Sequence, residues 1–267
     1  MKRRDFLQTG LTATALGSLS ASLFNASAAE PAGAGPREYY ELRIYRLKDA
    51  AAKPRLDAFL EKAALPAWNR LGLKPIGVFT ETEPKEGPAV FVLITYPSLE
   101  AFASSVTKIN ADAEYLKAGA DYLLATKADP AFARIDSWLM LAFAGMPKLE
   151  LPAYCPKAAT RVFELRAYES HSELKAVNKV DMFNAGEIGA MREVGLGPVF
   201  YGQALIGASL PHLWYMTSGE TLAVHKEHWS LFGKHPVWQK LKSDKQYADN
   251  VSKNTSRILV PTAYSQI

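Results

Sequence analysis

Tyr40-Glu41-Leu42-Arg43-Ile44-Tyr45 and Phe163-Glu164-Leu165-Arg166-Ala167-Tyr168 spell nearly the same strand 123 positions apart. Each alternates an apolar residue with Glu, Arg or Tyr, the period of two that a half-buried strand requires. At the same offset Leu71-Gly72-Leu73-Lys74-Pro75 falls on Val194-Gly195-Leu196-Gly197-Pro198, and Pro88-Ala89-Val90-Phe91-Val92 falls on Pro211-His212-Leu213-Trp214-Tyr215. Leu99 likewise falls on Leu222. Anchors that share one offset without a gap mark a tandem duplication, with two units rather than the many of a solenoid.

Each unit has the same order of elements. In the first, strand 39–47 leads to a helix over 54–71, whose stripe of Leu56, Phe59, Leu60 and Ala63 ends at Gly72 in the left-handed cap position. Strands follow at 75–81 and 89–96, separated by a charged Pro- and Gly-containing turn. Ser98 caps a second helical region that runs to about Leu124 with a break near Asn110 to Asp112, and Trp138 to Phe143 form the fourth strand. The second unit repeats the series at 162–169, 173–194, 198–205, 212–218, 220–243 and 256–261. This β-α-β-β-α-β order is α+β and ferredoxin-like, a unit that leaves one face of its sheet bare.

Two such units cover each other's bare faces, sheet to sheet, as an intramolecular dimeric α/β barrel. The fourth strand, Trp138-Leu139-Met140-Leu141-Ala142-Phe143, has no polar side and calls for burial on both faces. The expected organisation is a signal segment at 1–28, a flexible stretch at 29–37, a first unit at 38–146, a linker at 147–160 and a second unit at 161–267.

Lys2-Arg3-Arg4-Asp5-Phe6-Leu7 resembles the twin-arginine signal read by the bacterial Tat exporter, and Ala26-Ser27-Ala28 supplies a small-x-small cleavage pattern. The apolar run between them is too short and too diluted with Ser, Thr and Gly to serve as a stable membrane anchor. The expectation is a periplasmic or secreted protein whose early partner is the Tat machinery. The one cysteine, Cys155, allows no intrachain disulfide, so stability must come from packing. Without residues 1–28 the chain carries 28 basic and 26 acidic side chains, a balance that argues against nucleic acid as a partner.

The strand Tyr40 to Tyr45 with its copy Phe163 to Tyr168, the stretch Gly195-Leu196-Gly197-Pro198, and the late helix of His235-Pro236-Val237-Trp238 together resemble the NIPSNAP family. The resemblance spans about 38–265, with Ala113-Glu114-Tyr115 standing in the first unit where the second has Pro236-Val237-Trp238. It implies the dimeric α/β barrel superfamily and brings no agreed activity and no catalytic residues. Barrels of that superfamily often bind small, flat or unsaturated molecules, and some catalyse isomerisation, oxygenation or decarboxylation. A small-molecule binding or docking protein is therefore set against an enzyme acting on an unsaturated or carboxylate-bearing substrate with Arg, Tyr and His of the second unit.

The ligand-binding candidates come from the two first strands. With Tyr40, Leu42 and Ile44 turned to the helices, Glu41, Arg43 and Tyr45 enter the space between the sheets, as do Glu164, Arg166 and Tyr168. Such charges either pair to fix the register, or leave one copy open for a ligand whose carboxylate or enolate an arginine holds. All five histidines lie in the second unit, and His225 and His228 sit at i and i+3 on a helix, a weak metal or haem spacing with His235 nearby. Their concentration points to the second unit as the site. No P-loop, dinucleotide fingerprint, nucleophile elbow or paired CxxC indicates a cofactor, and haem or a metal stays open. Further assembly of the barrel into homo-oligomers is equally open.

Overall fold

A computed structural model describes residues 35–155 and 159–267, so the signal segment lies outside the described residues. The described residues form one compact unit. Eight antiparallel strands close into a barrel in the order β1-β3-β2-β8-β5-β7-β6-β4. They are β1 (Tyr39–Arg46), β2 (Ile76–Glu81), β3 (Ala89–Tyr96), β4 (Arg134–Ala142), β5 (Val162–Glu169), β6 (Gly197–Ile206), β7 (His212–Gly219) and β8 (Lys253–Pro261). Each half contributes a sheet of four in the ferredoxin-like order, and the edges join where β2 pairs with β8 and β4 with β6. Closure removes the exposed edges that each half would have alone.

The helices cover the outside. In the first half α1 (Lys53–Phe59) passes through a π turn into α2 (Leu65–Arg70), and Gly72 ends the run with φ +78°. Only glycine adopts that conformation without strain. Ser98 accepts a hydrogen bond from Ala101 N and caps α3 (Leu99–Asn110), and Asp112 caps α4 (Ala113–Ala118), which leads to α5 (Ala120–Leu123). The break expected near Asn110 to Asp112 is this second cap. The second half has α6 (Glu173–Met182), a π turn, α7 (Ile188–Glu193), α8 (Leu222–Lys234) and α9 (Pro236–Ser243). The fourth strands begin earlier than their apolar runs suggest, at Arg134 and Lys253, because the pairing partners β1 and β5 extend that far.

The direction of the first strands corrects the expectation from sequence. Tyr40, Leu42 and Ile44 share one core with Phe163, Leu165, Trp214 and Met216 of the other half, so they fill the barrel. Glu41, Arg43 and Tyr45 face the helices, where Tyr45 packs with Leu56, Phe59 and Trp68; Glu164, Arg166 and Tyr168 do the same in their half. Alternation defines two faces but does not say which is inward. The interior of an eight-stranded barrel is just wide enough to be filled by side chains. Here that filling is apolar, and it leaves the charged face to the sheet–helix layer. Each half thus owns a separate Glu-Arg-Tyr set, and the two sets do not meet between the sheets.

No helix among the described residues is long and apolar enough to cross a membrane. Cys155 buries its thiol in the barrel core, where burial raises its pKa.

Candidate functional site

In the first half Glu41 is buried on the helix side of β1 and accepts four hydrogen bonds. Arg43 donates through Nε at 2.6 Å and Nη2 at 2.9 Å, Ser137 Oγ at 2.8 Å and Tyr96 Oη at 2.9 Å. Register explains the convergence: β1 lies between β3, which brings Tyr96, and β4, which brings Ser137 opposite Arg43. Burial pushes the Glu41 carboxyl up, but the Arg43 guanidinium and the two other donors, Ser137 and Tyr96, outweigh it and hold the carboxyl below its ordinary value. The fork grip on Glu41 leaves Arg43 Nη1 without a hydrogen bond among the described residues.

Beside this pair opens a cavity of about 170 Å³, lined by Arg43 and Tyr45 of β1, Phe59, Trp68, Ser105, Val106, Tyr115 and Tyr122 among others. Trp68 lies 5.5 Å from the Arg43 guanidinium, and Phe59 stacks on Tyr122 at 3.7 Å. The hydroxyls of Tyr45, Tyr115 and Tyr122 have no hydrogen-bond partner among the described residues. Burial raises the pKa of Tyr115 and Tyr122, so both stay protonated donors at neutral pH. Val106 is 60% exposed and stands at the mouth. An apolar, aromatic wall with one guanidinium edge and three phenolic hydroxyls suits a small ring that carries an oxygen acceptor.

The second half uses the same strand motif differently. Glu164 accepts from Arg166 Nη1 at 2.7 Å, from Ser256 Oγ and from Trp229 Nε1, and lies 2.8 Å from His225 Nε2. Burial raises its carboxyl, yet the bond to His225, the Arg166 charge and the Ser256 bond bring it down to about 2. Trp229 also covers the Arg166 guanidinium at 4.7 Å. Tyr168 donates to or accepts from Tyr215 at 2.8 Å, so its hydroxyl is engaged. Behind them lies the buried pair Lys179–Glu187, 2.7 Å apart, with the ammonium 4.5 Å from the Phe183 ring.

Substitutions across the repeat account for the contrast. The offset of 123 sets Val106 against Trp229, Val92 against Tyr215, Tyr96 against Gly219, Phe102 against His225, and Leu56 and Ala64 against Lys179 and Glu187. A side chain at Gly219 would meet His225 Cβ at 2.7 Å, so the loss of the Tyr96 side chain is what admits the imidazole. Trp229, whose indole covers Arg166, stands at the position equivalent to Val106, which borders the cavity beside Arg43.

The candidate residues therefore gather into two sets. Arg43 and Tyr45 line the first cavity, with Glu41 bonded to Arg43, and Glu164, Arg166, Tyr168 and His225 meet in the second half. His228 and His235 stand apart from both sets. His228 packs over Gly195, and His235 binds Glu193 at 3.0 Å and caps α9. Among the described residues no group of three or more His, Cys, Asp or Glu is placed to hold a metal. Histidine counts in the sequence pointed to the second half, whereas Trp68, Tyr115 and Tyr122 were missed. The signal available for them was the position at which the copies differ, Val106 against Trp229.

The NIPSNAP family model matches residues 40–134 and 163–266. No curated protein sequence matches the chain. Among solved structures, a candidate monooxygenase from Lactobacillus acidophilus NCFM is 8% identical with a TM-score of 0.54, covering 84% of this chain and 94% of its own. Another from Fusobacterium nucleatum subsp. nucleatum ATCC 25586 has the same identity and score, over 84% and 92%. A NIPSNAP-like domain protein from Burkholderia xenovorans is 20% identical at a TM-score of 0.37, over 41% of this chain and 91% of its own. At such identities the two full-length likenesses speak for the fold alone.

Proposed function

Since the chain belongs to the NIPSNAP family, we propose that it is a small-molecule-binding member whose first half holds the ligand, a single ring bearing a carboxylate or enolate oxygen. The observation that carries this reading is the cavity of about 170 Å³ beside Arg43 Nη1 and the free hydroxyls of Tyr45, Tyr115 and Tyr122. A buried void of about 150 Å³ accepts benzene, so the volume suits one ring. Donors without partners on its wall suit an oxygen anion, which arginine binds more strongly than neutral donors do. The candidate monooxygenases share only the fold with this chain, so binding, not turnover, is the function proposed.

The same reading has the protein exported in folded form through Arg3-Arg4 and working in the periplasm. Replacing both arginines by lysine should leave it in the cytoplasmic fraction.

Calorimetric titration with benzoate tests the binding site. Wild type should bind, Val106→Trp should weaken binding at least tenfold by closing the mouth, and Tyr122→Phe should weaken it by a smaller factor. Benzoate binding that is indifferent to Val106→Trp, or no binding at all, would overturn the proposal.

A further inference from the structure

The barrel interior is packed along its length, but a cavity of about 160 Å³ opens between the halves at one end. Ile44 and Ala167, equivalent residues of the two first strands, contribute to its lining. Three aromatic rings make the wall: Trp138 and Trp214 meet edge to face at 5.4 Å, and His212 stands 6.5 Å from Trp138 and 5.8 Å from Trp214. Trp138 is fixed by its own hydrogen bond, Nε1 to the Ala208 carbonyl at 3.0 Å. None of these residues belongs to the cavity beside Arg43.

Two polar atoms of this wall are buried without a partner. His212 Nδ1 lies 3.1 Å from the Ser209 carbonyl, an acceptor, so the hydrogen is on Nδ1 and Nε2 presents a lone pair. Burial lowers the His212 pKa, in keeping with a neutral ring. Nε2 has no hydrogen-bond partner, and neither does Trp214 Nε1–H. One is an acceptor and the other a donor, and leaving either unpaired in the interior is costly. A hydroxyl both gives and accepts hydrogen bonds, so it is the simplest group that answers both.

The rim argues for a neutral ligand. Arg46 is bound to Asp136 and Glu86, Arg257 to Glu81 and Glu86, and Lys253 to Glu169. Four carboxylates hold these three cations, so the rim carries no surplus positive charge for an arriving carboxylate. We infer that this end of the barrel is a second binding site, for a single aromatic ring bearing a hydroxyl group. The phenol ring lies against Trp138 and Trp214, and its hydroxyl reaches His212 and Trp214.

Phenol titration by calorimetry, with a crystal soaked in 4-bromophenol to locate the ring, tests the site. Wild type should bind phenol, with the bromine signal between Ile44 and Trp214. Ala167→Leu, which fills the cavity with apolar carbon, should lower phenol affinity at least tenfold without lowering the melting temperature. Trp214→Phe removes the donor, should cost severalfold in affinity, and keeps the test available if Ala167→Leu fails to fold. Val106→Trp should leave phenol binding unchanged, which separates this site from the one proposed above. Absent phenol binding, a bromine signal elsewhere, or an ordered water on His212 and Trp214 that phenol never displaces would overturn the inference.

Discussion

The two halves began from one strand motif and reached opposite outcomes. In the first, Glu41 and Arg43 form a fork pair beside a cavity whose mouth is Val106; in the second, Glu164 and Arg166 are held under Trp229. The second half has more charged and histidine side chains beneath its helices, and these bond in pairs, His225 to Glu164 and Lys179 to Glu187. The first has fewer, and the hydroxyls of Tyr45, Tyr115 and Tyr122 lack partners among the described residues. Charge and histidine content thus mark where side chains had to satisfy each other, whereas unpaired donors beside a void mark where something else can enter.

The largest expected effect lies in the buried pair that only the second half has. Glu187→Ala should destabilise by about 3–5 kcal/mol in urea, because it leaves Lys179 buried beside no carboxylate. The double change Lys179→Leu with Glu187→Ala, which copies Leu56 and Ala64, should return stability to within about 1 kcal/mol of wild type. A double variant as weak as the single one would mean that the pair does more than occupy space.

Next comes Trp229→Val, which makes the second half resemble the first. Removing most of a large, partly buried ring should cost about 2–3 kcal/mol, and it should uncover Arg166 so that benzoate binds twice per chain instead of once. A stoichiometry that stays at one would show that the Val106 and Trp229 difference is not what separates the halves.

A pH effect follows from Glu164. Its folded pKa, about 2, lies below the ordinary 4.5, so its contribution is complete above pH 4.5 and is lost as pH falls through about 2. Glu41 is lowered as well, and acts in the same direction. Acid unfolding should therefore be less steep between pH 4.5 and 2 in Glu164→Gln than in wild type; identical slopes would remove Glu164 from the account. The smallest change in stability belongs to Val106→Trp, within about 0.5 kcal/mol at this exposed position, although it should abolish most benzoate binding.

The duplication, the order of elements and the barrel were legible because they rest on period, caps and repeat offset. Gly72 and Ser98 stand where their left-handed and capping conformations were expected. The inward face of β1 was not legible, since Tyr40-Leu42-Ile44 and Glu41-Arg43-Tyr45 have the same period and only closure of the barrel chooses between them. Trp68, Tyr115 and Tyr122 could not be joined to Arg43 without knowing how α2, α4 and α5 fold over β1. The comparison of copies was in the sequence throughout, in Val106 against Trp229 and Val92 against Tyr215. Its meaning required the geometry of one copy.

Crystals of the wild-type protein soaked with 4-bromobenzoate, with the bromine located by its anomalous signal, test the central claim most directly. The account predicts one strong signal in the first half, between Arg43, Trp68 and Tyr122. A signal beside Arg166 under a displaced Trp229, with the first cavity empty, would contradict it.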